Sequence, residues 1–171
     1  MRLLKPFLIT IAGLALVLLA VSSLLPSRVM TSRWVMVHAE KDTVISAVHD
    51  LGTWPQWNLL MEHSTVQPLK ASYTVGDTIS WQASEGVYGH MTLEEWNDKG
   101  VSSLLSIGEQ RALHSGMSVE KRQADSVQVV WYLIEDLKWY PWEKVYGMMA
   151  SDIKGPLMQK SLDRLKAKLE Q

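Results

Sequence analysis

The chain contains no cysteine. That excludes a disulfide framework, a thiolate nucleophile, Cys-ligated zinc and a lipobox thiol for lipid attachment. Its five histidines (His38, His49, His63, His90 and His114) are scattered, without HxH or HExxH spacing. No metal or other cofactor is therefore expected. No G-x-S-x-G elbow is present, so no serine hydrolase is indicated. Phenylalanine is almost missing too: Phe7 stands alone against eight tryptophans.

Charge is absent from Pro6 to Leu25, a run of twenty uncharged, mostly apolar residues. A helix of that length spans roughly 30 Å, the thickness of a bilayer core. Arg2 and Lys5 precede it and Pro26-Ser27-Arg28 closes it. Residues 1–28 read as a transmembrane anchor. A cleaved signal peptide is the alternative, with Ala20-Val21-Ser22 as its cleavage site. The run continues through Leu24-Leu25, which favours the anchor. The short basic tail is that of a signal anchor, and it implies a single-pass protein with its domain outside the cytoplasm, in the periplasm.

Residues 29–171 hold all 18 acidic residues and 14 of the 17 basic ones, a formal charge of −4. No Lys/Arg cluster reverses that sign, so nucleic acid is not an expected partner. All eight tryptophans fall here, which suits a large core or an aromatic pocket.

Thr31 to Ala39 alternates as a strand, with Trp34, Met36 and His38 on one face and Val35 and Val37 on the other. Asp42 is a plausible N-cap for a helix carrying Val44, Ile45, Val48 and Leu51, and Gly52 stops it. Pro55 opens a short helical turn at Trp54–Trp57. From Val66 to Lys138, strand-like runs alternate with turns at Val75-Gly76-Asp77, Glu85-Gly86, Asn97-Asp98-Lys99-Gly100 and Ala124-Asp125. The last strand, Ser126 to Ile134, is apolar on both faces, as in a strand covered on two sides or lining a cavity. The chain ends in helix. Met158, Leu162, Leu165 and Leu169 form its apolar stripe, and a break or kink is expected at Gly155-Pro156. The class is α+β, with about seven antiparallel strands curved around a long C-terminal helix.

Four passages in this order resemble the START-like superfamily, also called SRPBCC or polyketide cyclase/dehydrase-like. They are His49-Asp50-Leu51-Gly52-Thr53-Trp54-Pro55-Gln56-Trp57, Ser80-Trp81 with Gly86 and Gly89 to Leu93, Val129-Val130-Trp131-Tyr132, and Gly155 to Leu169. The resemblance spans residues 30–171 and implies a helix-grip fold with a cavity, usually for an apolar molecule, between sheet and final helix. An anchor before such a domain resembles a bacterial branch of the superfamily. The iron–sulfur signature of its hydroxylase members is missing.

Wall candidates for that cavity are Trp57, Trp81, Met91, Trp131 and Leu133, with Trp142 near the mouth. Glu135 is in phase with Trp131 and Leu133, so it can place a carboxylate at the rim. The neighbours Glu94-Glu95 should point to opposite faces of a strand and share no proton. Trp139-Tyr140-Pro141-Trp142 reads as a lid, a membrane-interface contact or ordinary packing. A membrane-tethered binder or carrier of an apolar small molecule or lipid is the leading expectation. A small cyclase- or hydrolase-type enzyme using the same cavity, and an interaction module with a filled core regulating a membrane partner, are the alternatives. No convergent catalytic constellation supports the enzyme.

Overall fold

Period-two alternation builds the sheet. In the computed structural model, which describes residues 4–82, 86–123 and 125–171, six strands run wholly antiparallel. They are β1 (Arg28–Val37), β2 (Thr78–Gln82), β3 (Tyr88–Asn97), β4 (Gly100–Ile107), β5 (Leu113–Gln123) and β6 (Ser126–Asp136), ordered β1-β6-β5-β4-β3-β2. The Asn97–Gly100 turn forms as expected, with Gly100 at φ +142°. Two expected turn residues, Glu85 and Ala124, lie outside the described residues.

The count is six strands rather than about seven because Val66 to Thr74 makes no strand. Only Gln67 pairs, with Ser80. Pro68 then has no amide to donate to a ladder. The Tyr73 hydroxyl donates to Pro68 O (3.1 Å) and accepts from Lys70 N (3.2 Å), folding the segment around the buried tyrosine.

Helix α1 (Leu4–Leu24) precedes the sheet, long and apolar enough to cross a membrane. Helix α2 (Lys41–His49) buries Val44 and Val48. Its cap position is Glu40 and not Asp42, without a side-chain capping bond; Asp42 instead lies in the first turn, where its charge suits the helix dipole. Helix α3 (Trp54–Trp57) follows, with Pro55 in its first turn.

The long C-terminal helix α4 (Pro141–Leu169) runs unbroken through Gly155-Pro156. Proline removes the bond to the carbonyl four residues earlier. Here that carbonyl belongs to Asp152, a residue on the exposed side of the helix. Gly155 serves contact, since a Cβ there would run into the Arg33 guanidinium. That group donates from Nη2 to Ser151 O at 3.0 Å.

Met158, Leu162 and Leu165 of α4 are fully buried against the sheet. On β6, Val127, Val129, Trp131 and Leu133 face them, but Val130, Tyr132 and Ile134 are only half-buried. The strand is thus covered on one side only. Its second apolar face pairs across the outer surface with Met30 and Trp34 of β1.

Candidate ligand cleft at the end of the sheet

Beyond Leu133 the inward face of β6 continues to Glu135, and the neighbouring start of β5 supplies Leu113. Helix α4 crosses above them. Together these elements enclose a cleft of about 280 Å³, lined by Leu113, Glu135, Leu137, Glu143, Tyr146 and Lys154. Glu135 Oε2 lies 2.6 Å from Lys154 Nζ, and both side chains are less than one-fifth exposed. The same ammonium stands 5.8 Å from the Tyr146 ring centroid. So this ion pair sits in a mouth whose wall leucine and tyrosine share with Arg111, Asp136 and Glu143.

The rim is charge-compensated. Arg111 reaches Glu143 at 3.2 Å and donates to Asp136 O at 2.6 Å. Arg28 Nε donates to the Asp136 carboxylate at 2.8 Å and holds its pKa below the ordinary range. Glu143 is lowered as well, chiefly because it accepts from Lys138 N, with Arg111 adding to the effect. These groups stay ionised at neutral pH. No histidine or serine is among the residues that line the cleft.

Of the wall candidates, Trp57, Trp81, Met91, Trp131 and Leu133 all come together in one core cluster, each at most 4% exposed. All five side chains are buried in that interior. Open volume lies at its end, one alternate residue outward from Leu133. Trp142 stands apart on the first turn of α4, 68% exposed. Trp81 and Trp131 each satisfy their indole, donating to Leu60 O (3.1 Å) and Ser115 Oγ (3.1 Å). Trp57 Nε1 is buried without a partner among the described residues.

Two further concavities are larger and more polar. One, of about 360 Å³, lies at the β2 edge by His63, Gln67 and Tyr88. The other, of about 370 Å³, holds His49 and Asp50, with His49 stacked on Trp96 at 4.3 Å between ring centroids. Among the described residues no group of three metal-ligating side chains forms. Glu94 and Glu95 depart from strict alternation: a bulge between Leu93 and Glu95 exposes both. Burial raises the Tyr132 pKa, and both carboxylates raise it further.

Sequence reasoning found Glu135 but missed Lys154. The signal was available. Extending the Met158, Leu162, Leu165 stripe back one turn lands on Lys154, but the expected break at Gly155-Pro156 cut the stripe short.

A curved antiparallel sheet gripping one long terminal helix is the arrangement of several solved structures. A START superfamily protein from Mycobacterium smegmatis superposes with a TM-score of 0.63 at 20% identity, covering 83% of this chain and 97% of that one. The chain has the START-like, or SRPBCC, fold. A protein from Thermobifida fusca gives 0.62 at 19% identity, over 82% and 92% of the two chains. DynU16, from the dynemicin biosynthetic locus, gives 0.61 at 17% identity; 82% of this chain covers 47% of DynU16, about half its length. No family model and no curated protein sequence matches the chain. In this START-like domain the cleft occupies one end of the sheet–helix interface, beside the segment that joins α1 to β1. Leu137 N donates there to Ser27 O at 2.7 Å.

Proposed function

We propose that the domain is a membrane-tethered binder or carrier of an amphiphilic lipid or similar apolar small molecule. Its polar end meets the Glu135–Lys154 pair, and its apolar part presses inward toward Leu133 and Trp131. The observation that supports this most is the sheltered ion pair beside Leu113, Leu137 and Tyr146 at the open end of a mainly apolar interior. Binding sites for small molecules are mainly hydrophobic with a few placed polar groups, and such sites start at roughly 300 Å³. The cleft, at about 280 Å³, is just below that bound, so the ligand displaces core side chains as it enters. Trp57, Trp81 and Met91 then form the far wall, while Trp142 lies outside the pocket. Helix α1 acts as the anchor, and the domain lies outside the cytoplasm.

The test is native mass spectrometry of the full chain purified in mild detergent, with tryptophan emission followed during titration with oleate and lysophosphatidylcholine. A bound-lipid mass and an emission shift are expected, both lost in Leu133→Trp and weakened in Lys154→Met. A folded full chain with no adduct and no shift for either ligand overturns the reading. The packed core would then favour an interaction module.

A further inference from the structure

Helix α4 changes character along its exposed side. Up to Pro156 that side presents Trp142, Val145, Tyr146, Met148, Met149 and Ile153, each 42–68% exposed. Asp152 is the single charge among the exposed residues of this half. Beyond it the exposed residues are Lys160, Asp163, Arg164 and Ala167, three of the four charged. One helix face is therefore apolar for its first half and ionic for its second. An apolar patch of that kind on a folded domain marks a contact surface.

Two bonds fix where the apolar half lies. Ser22 Oγ of α1 donates to Trp139 O at 2.7 Å. Lys144, only 3% exposed, donates from Nζ to Pro26 O (3.0 Å) and Ser27 Oγ (2.8 Å). The start of α4 is thus fastened to the end of the apolar α1 helix. Trp139 and Trp142 stand exposed at that junction, the place where tryptophan rings favour the lipid–water boundary.

We propose that the exposed apolar face of the first half of α4 lies in the interface of the bilayer that α1 enters, a second and peripheral contact beside the span. The apolar side chains enter the acyl boundary, as in interfacial amphipathic helices. The ionic half from Lys160 onward stands in water. This inference rests on the anchor of the preceding reading but not on ligand binding.

The absence of native cysteine makes the test clean. Met149→Cys, Ile153→Cys, Lys160→Cys and Gly13→Cys variants of the full chain are spin-labelled and reconstituted into phosphatidylethanolamine–phosphatidylglycerol vesicles. Collision rates with oxygen and with a water-soluble nickel chelate are then measured. Labels at 149 and 153 should collide with oxygen and be shielded from nickel, as at position 13 within α1, while 160 meets nickel freely. Nickel access at 149 and 153 equal to that at 160, with 13 shielded, overturns the interfacial contact and leaves the anchor standing. Shielding of 149 and 153 from both reagents means that protein covers the face, and it overturns the proposal too. Nickel access at 13 removes anchor and contact together.

Discussion

Trp81 and Gly89 face each other across β2 and β3, and the indole lies where a Cβ on Gly89 would be. The ring is 3% exposed and held by its bond to Leu60 O, so it cannot retreat. Gly89→Ala should therefore cost about 1–3 kcal/mol, the range of overpacked cores. A urea midpoint equal to wild type would show that the indole has room to move. Asp77 is a second residue with a defined task. It accepts from Lys70 Nζ (2.7 Å), Thr74 N (2.9 Å) and Thr74 Oγ1 (3.3 Å), closing the loop around Tyr73. The Lys70 bond first, and the Thr74 amide second, lower its pKa below the ordinary aspartate value. A carboxylate lowered on folding adds stability above its unfolded pKa, near 3.9, and that stability is lost as pH falls through the folded value. Asp77→Asn should be less stable than wild type at pH 7, with the gap closing under acid. Parallel melting-temperature curves across the acid range would contradict this.

At the scale of elements, α4 seals the sheet through Met158, Leu162 and Leu165. Leu162→Asp should cost at least the ~2–5 kcal/mol of a leucine truncation in a core, with carboxylate desolvation added. A variant that melts with wild type would mean that the helix is not the seal. Elements with a strong period were legible: the α4 stripe, the two-residue turn before Gly100 and the inward face of β6 all follow from local pattern. What was not legible depended on side-chain and solvent contacts that no period records. Proline at 156 reads as a break until its helix is seen to run on through an exposed turn at Asp152. Val66 to Thr74 reads as a strand until Tyr73 gathers the segment around its hydroxyl. Glu135 was visible from strand phase, and its partner on α4 was hidden only by the break expected at Gly155-Pro156. Tryptophan divided too: Trp54, Trp57, Trp81 and Trp131 are core, while Trp34, Trp139 and Trp142 are exposed. Composition alone cannot separate those two uses.

At the scale of the whole molecule, one apolar helix and one START-like domain meet across a very short joint. Full-length protein should stay in the membrane pellet after alkaline carbonate extraction and be released by detergent. Recovery in the carbonate supernatant, or a mature N-terminus at Ser23, would reassign residues 1–28 as a signal peptide. A phosphatase fused after Gln171 that is active only outside the cytoplasm would place the domain there, and activity confined to a cytoplasmic reporter would reverse it. The joint has a mechanical meaning of its own. Only three residues separate α1 from β1, and Lys144 grips two of them. Fully stretched, three residues reach roughly 10 Å; gripped, they give no slack. With α1 as the proposed anchor, a domain moored in this way would have neither swing nor reach and would not ferry cargo across an aqueous gap. On the proposed reading, any molecule that it gave or took would change hands at the membrane surface, where a receiving protein would have to meet it.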